Sequence, residues 1–140
     1  MSISINNLIE LLNRDLELEY SAAIQYINHA AVMKGAAYGD IIKEIKLHAT
    51  EEIQHAMLLS DQIDFLGGTP SILVGNILTS VDNLKMLRQD LDGEEDAIQR
   101  YKIRIEQAEG LKEFALSQHL RTILAMEQEH AMDLKQALGD

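Results

Sequence analysis

The chain contains no cysteine. That excludes disulfides, thiolate zinc sites, iron–sulfur clusters and cysteine nucleophiles. It leaves histidine and carboxylates as the strong metal ligands. There is one proline, no tryptophan, and an aromatic content of only 4%. So little proline, beside abundant Leu, Ile, Ala, Glu, Gln and Lys, suits long helices. No apolar run approaches the roughly 20 residues of a membrane span, so no membrane partner is expected. The amino terminus shows neither a basic n-region nor an apolar h-region; no signal peptide and a cytoplasmic location are the expectation. Positive charge is scarce too, with 12 Lys and Arg against 23 Asp and Glu and a net charge of −11. That argues against a nucleic-acid partner and favours local enrichment of cations such as Fe2+.

What is present is a 140-residue chain, 46% hydrophobic, enough for one domain spanning 1–140 with a core of its own. Ile5, Leu8, Ile9, Leu12, Leu16, Ala23, Tyr26, Ile27, Ala30 and Met33 recur mostly at three- and four-residue steps, one face of a helix that Gly35 stops. A second helix is predicted from about Ala37 to Leu66, ended by Gly67-Gly68-Thr69-Pro70. A third is predicted from a hydroxyl cap at Thr79 or Ser80 to Gly110, and a fourth from Leu111 to about Leu138, closed by Gly139. No strand is expected. Thirteen extended residues, 67–79, reach roughly 43 Å, the length of a helix of about 28 residues. The second and third helices are therefore expected to run parallel, in an all-α, antiparallel four-helix bundle with one long crossover. Ile72, Leu73, Val74, Ile77 and Leu78 in that crossover must cover the bundle or a second copy of the chain.

Shifted by 75 residues, the chain matches itself at its most distinctive positions. Glu19 falls on Glu94, Glu52 on Glu127, His55 on His130, Asp15 on Asp90, Ala22 on Ala97 and Tyr26 on Tyr101. The repeat covers about 12–59 and 87–134. Each half reads Glu, then, 33 residues later, Glu-x-x-His. Within a helix, Glu52 and His55, and likewise Glu127 and His130, face one way, one turn apart. The midpoint of Glu19 and Glu52 falls at 35.5, beside Gly35, and that of Glu94 and Glu127 at 110.5, beside Gly110. Two antiparallel hairpins turning at those glycines bring all four carboxylates level. The expected site has Glu19 and Glu94 as terminal ligands, Glu52 and Glu127 bridging, and His55 and His130 as terminal imidazoles. That is the set a helical bundle uses to hold two cations side by side, and mixed carboxylate–imidazole donors suit Fe or Mn better than Ca or Mg.

Glu19-Tyr-Ser-Ala-Ala-Ile-Gln-Tyr26, Glu51-Glu-Ile-Gln-His55, Leu87-Arg-Gln-Asp-Leu-Asp-Gly-Glu94 and Glu127-Gln-Glu-His130 resemble the bacterioferritin branch of the ferritin-like di-iron proteins, with rubrerythrin as a near relative. The resemblance covers about Leu12 to Leu134. It implies a ferroxidase centre of two iron ions per chain, with manganese as the alternative metal, where oxygen or peroxide oxidises Fe2+ in iron storage or detoxification. It also implies a homo-oligomer, at least a dimer, and a redox partner protein if electrons come from elsewhere than Fe2+. Ile53 stands where haem-binding bacterioferritins carry methionine, so no haem is expected by that route. The chain ends ten residues after His130, leaving no counterpart of the short fifth helix of their cages. The alternatives are a rubrerythrin-like peroxidase or oxidase dimer that stores nothing, a di-manganese site, and a non-enzymatic bundle with a structural metal pair.

Tyr26 and Tyr101 lie two turns beyond Glu19 and Glu94, placed either to bond a ligand carboxylate or to donate an electron. Asp15 and Asp90 are expected to accept from the free ring N–H of His55 and His130. His48, one turn before Glu52, is read with Glu51 as a transit ligand or else as a packed residue. His29 and His119 are read as surface residues. Met33, Met57, Met86, Met126 and Met132 are assigned to the core. Gly93 is read as the place for a bulge or a close helix approach, or as a tolerated weakness.

Overall fold

The computed structural model describes residues 3–140, and among these it contains helices and no strand. Helix α1 spans Ile5–Val32, α2 Gly39–Phe65, α3 Asn83–Gly110 and α4 Phe114–Leu138, with a single 3-10 turn at Ala36–Tyr38 before α2. Ser4 caps α1 by accepting from the Asn7 N–H at 3.1 Å. Gly35, at φ 116°, makes the first reversal, a backbone region that favours glycine. Gly139, at φ 76°, ends α4 in a left-handed cap.

Two boundaries differ from the sequence reading. Helix α3 starts at Asn83 rather than near Thr79 or Ser80, because Asp82 is the cap, accepting from the Leu84 and Lys85 N–H groups at 2.9 and 3.2 Å. A carboxylate with two donors outcompetes the hydroxyls upstream. Helix α4 starts at Phe114 rather than Leu111, because Leu111, Lys112 and Glu113 form the reversal, bonding back to the end of α3.

Helix α1 packs along α2, and α3 along α4; α1 also meets α3, and α2 meets α4. The crossover lies on α1. Asn13 bonds both the Thr69 carbonyl and the Ser71 N–H, Glu17 accepts from Ser71 Oγ and the Gly75 N–H, and Gln25 accepts from the Leu78 N–H. These contacts advance along α1 as the crossover advances, so the link runs the length of the bundle and α2 and α3 are parallel. Gly75 allows the close approach: a Cβ there would lie 2.9 Å from Ser21 Oγ and 3.2 Å from Leu18 Cδ2.

The apolar interior is split in two. One cluster holds Leu8, Leu12, Leu16, Leu59, Ile63, Tyr101, Leu116, Leu120 and Ile123. The other holds Tyr26, Ala30, Met33, Ile45, Met86, Leu87, Leu91 and Leu134. Glu19, Glu52, Glu94 and Glu127 sit between the two. Met33 and Met86 are core residues as expected, but Met57 and Met132 are 58% and 59% exposed, because their helical positions face away from both clusters. Ile27 is exposed for the same reason. Ile72, Leu73, Val74 and Leu78 stay exposed on the single chain.

Candidate metal centre

Four helices each deliver one glutamate to the gap between the apolar clusters. Glu19, Glu52, Glu94 and Glu127 are between 1% and 3% exposed. His55 follows Glu52 by one turn of α2, and His130 follows Glu127 by one turn of α4. His55 Nδ1 lies 3.7 Å from Glu19, 3.4 Å from Glu52 and 3.4 Å from Glu127. His130 Nδ1 lies 3.2 Å from Glu52, 2.8 Å from Glu94 and 3.4 Å from Glu127. The donor atoms form two overlapping groups, Glu19, Glu52, His55, Glu127 and Glu52, Glu94, Glu127, His130, each within 4.8 Å of one another. Glu52 and Glu127 belong to both.

Much of this donor set has no protein partner. Glu19 Oε2, both oxygens of Glu52, His55 Nδ1 and Glu127 Oε1 are buried without a hydrogen bond. Unpaired buried polar atoms cost free energy, and four clustered carboxylates cost more. Orphaned oxygens and an imidazole nitrogen converging on a buried gap are what a pair of cations satisfies, so the donor set fits two first-row divalent ions.

The protonation pattern agrees. Burial and the neighbouring Glu127 raise Glu19 above the carboxylate range, and burial together with Glu19 raises Glu52 further. Burial and Glu127 push Glu94 up to about 8. Burial works against the charged form of Glu127 as well, but His130 and His55 beside it hold it well below the usual range. Burial also works against charge on the imidazoles. The surrounding glutamates overcome it, Glu127 first in both cases, and raise His55 to about 12 and His130 to about 11. The metal-free protein thus keeps protons where cations would sit.

The ferritin-like domain family matches residues 9–140. The chain belongs to the ferritin-like family. Bacterioferritin of Brucella melitensis is 33% identical over 123 residues, spanning 87% of this chain and 76% of that protein. A ferritin-like, diiron-carboxylate protein from Bacillus anthracis superposes with a TM-score of 0.93 at 34% identity, covering 99% of both chains. A dodecameric thioferritin, the bacterioferritin-related protein of Bacteroides fragilis, superposes with a TM-score of 0.91 at 32% identity, covering 99% of this chain and 88% of that one. The bacterioferritin-like reading of the motifs stands on these relatives.

Around this ferritin-like centre, the two tyrosines bond across the bundle rather than along their own helices. Tyr26 on α1 donates to Glu94 at 2.8 Å, and Tyr101 on α3 donates to Glu19 at 2.5 Å. Burial and the adjacent carboxylate, Glu94 for Tyr26 and Glu19 for Tyr101, raise both phenols well above their ordinary range, so both keep their protons.

The aspartates do not serve His55 and His130. Asp15 accepts from Arg104 Nε at 2.7 Å and from Arg100 Nη1 at 2.8 Å. Asp90 bonds His29 Nδ1 and accepts from Gln25 Nε2, both at 2.9 Å. The guanidinium groups of α3 reach across to α1 and claim Asp15, while His29 and Gln25 of α1 claim Asp90. His29 is consequently not a surface residue: it is fully buried, and its Nε2 meets the Leu78 carbonyl of the crossover at 3.0 Å. His119 is half-buried. Gly93 is exposed, lies within unbroken α3, and has open space where a Cβ would stand, so it marks neither a bulge nor a close approach. For His130, the role expected of an aspartate falls to Glu51, which lies 3.1 Å from its Nε2.

His48 is fully buried. Its ring stacks on that of His130 with centroids 4.0 Å apart. Burial and the nearby His130 lower it to about 4.

Proposed function

We propose that this chain is a ferroxidase-type di-iron oxidoreductase of the bacterioferritin kind, acting in iron storage or detoxification. The observation that carries it is the pair of four-donor groups sharing Glu52 and Glu127. Two cations there would have Glu52 and Glu127 between them, Glu19 and His55 on one side, Glu94 and His130 on the other. Two adjacent Fe2+ ions supply two electrons together, enough to take oxygen to peroxide or peroxide to water, with two protons consumed in either case. The rest falls to the protein. Tyr101 fixes the orientation of Glu19, and Tyr26 that of Glu94. Glu51 bonds the outer nitrogen of His130, which turns its inner nitrogen toward Glu52, Glu94 and Glu127. The apolar clusters keep bulk water from the gap. A cavity of about 80 Å³ between α1 and α3 reaches all four glutamates, with Asn76 of the crossover among its lining residues. Its size suits oxygen or peroxide as oxidant.

Among the described residues no helix is long and apolar enough to cross a membrane; a cytoplasmic location and the absence of a membrane partner are part of this reading. So are iron rather than manganese as the native metal, no haem, and a redox partner protein when peroxide is removed without net iron uptake. A homo-oligomer belongs to it as well. Ile24, Ile53, Met57, Ile72 and Val74 expose a broad apolar area beside Tyr20, and the related Bacteroides fragilis protein is dodecameric. All of 1–140 then acts as one domain.

The test is to load metal-free protein with Fe2+ anaerobically and admit oxygen or peroxide while following near-ultraviolet absorption. Rapid growth of a ferric band, abolished in Glu52→Ala and His130→Ala, is expected. Binding of iron with no oxidation would leave a structural metal pair instead. Continued uptake of iron marks storage, and a halt at two per chain marks a small oxidase.

A further inference from the structure

One turn beyond the candidate centre, along the seam between α2 and α4, lies a second group of donors. Glu44 and His48 are four residues apart on α2 and share a face. Asp133 follows His130 by one turn of α4. His48 Nε2 is 3.2 Å from Asp133 Oδ2 and 3.7 Å from Glu44 Oε1. The three side chains offer donor atoms within 4.8 Å of one another. Exposure falls steeply inward: the Glu44 and Asp133 side chains are 42% and 41% exposed, and that of His48 is 0%.

The imidazole makes this more than an acidic surface. His48 is the one member common to this group and to a buried group with Glu94 and His130. Its Nε2 faces the outer carboxylates, while its Nδ1 is buried with no hydrogen-bond partner. A packed histidine serving only the core would have both nitrogens satisfied. Outside, Glu44 and Asp133 line a surface groove of about 490 Å³, together with Asp40 and Tyr38. The net charge of −11 favours cations there.

We propose that Glu44, His48 and Asp133 form a third divalent-cation site per chain, a staging point from which Fe2+ passes along His48 to the di-iron centre. Two carboxylates and one imidazole select a first-row cation over Ca2+ or Mg2+. Three protein donors leave positions for water, and the carboxylates are half in solvent, so this site is the weaker one and exchanges faster. The staging role rests on the function proposed above; the cation site itself does not.

Cobalt serves as the probe: anaerobic Co2+ titration of the full chain, followed by anomalous diffraction at the cobalt edge from crystals grown with Co2+. Three cobalt peaks per chain are expected, one bonded to His48 Nε2. Glu44→Gln/Asp133→Asn should delete that peak and the weakest equivalent while retaining the inner pair and full helicity. With limiting Fe2+, the same variant should fill the centre severalfold more slowly at unchanged inner stoichiometry. Two peaks only, both among the four glutamates, would overturn the third site and leave the ferroxidase reading intact. An outer peak with an empty inner gap would support the third site and sink the ferroxidase reading. An unchanged filling rate would overturn the staging role.

Discussion

Loading the centre must displace protons, and the structure says how many. At pH 7 both imidazoles are charged, with His55 raised to about 12 and His130 to about 11. Each loses one proton to ligate, which gives two. Glu94, at about 8, is roughly nine-tenths protonated at pH 7 and contributes most of a third. Glu19 and Glu52 are raised as well and add in the same direction. Glu127 is ionised and contributes none. Binding of two dications at pH 7 is therefore expected to release between two and three protons per chain, or more. Joint affinity for the pair should fall about 100- to 1,000-fold for each pH unit below 7, tenfold per displaced proton. The assay is anaerobic Zn2+ or Co2+ addition in weakly buffered solution with a pH indicator, repeated as calorimetry in two buffers of different ionisation enthalpy. Release of one proton or fewer would refute the reasoning, since it would mean that the imidazoles already stand neutral in the metal-free protein.

The same groups set the stability of the metal-free form. Folding raises the proton affinity of Glu94, His55 and His130, so the native state holds more protons than the unfolded chain between pH 5 and 8. Stability must then fall as pH rises through that window, by on the order of 2–4 kcal/mol for each of the three groups; thermal melts at pH 5 and pH 8 check the sign, and metal should reverse the trend. Asp15→Ala leaves the Arg104 guanidinium buried without its partner and is expected to cost about 3–5 kcal/mol, read by urea denaturation of the metal-free protein. Gly68→Ala would put a Cβ 2.5 Å from Ile9 Cγ2 and 3.1 Å from Ile63 Cγ2, and should destabilise by about 1–3 kcal/mol in the same assay.

The helices and the level of the four glutamates were legible because glycine punctuation and the 75-residue repeat carry that information along one dimension. Gly35 and Gly110 fixed the heights of Glu19, Glu52, Glu94 and Glu127 without knowledge of any contact. What was not legible is which side chain on a neighbouring helix claims a polar group. Asp15 and Asp90 occupy equivalent repeat positions, yet one meets two arginines and the other a histidine and a glutamine. Arg100 and Arg104, on the face of α3 that carries Tyr101, were the available signal for Asp15, since buried aspartate seeks a cation. The burial of His29 is invisible along its own helix because it depends on the crossover lying over it, with the Leu78 carbonyl closing the contact. Met57 and Met132 show the limit of residue type: an apolar side chain at helical spacing is core only if its face is.

In the function proposed above, two iron ions bind side by side between Glu52 and Glu127. Anaerobic Fe2+ titration of the metal-free chain, read by Mössbauer spectroscopy, tests it most directly. Two tight equivalents per chain are expected, with spectra of an interacting pair that becomes antiferromagnetically coupled and diamagnetic on oxidation, and Glu127→Ala should abolish the pairing. A single isolated iron per chain, or a wild-type titration indistinguishable from that of Glu127→Ala, would contradict the account.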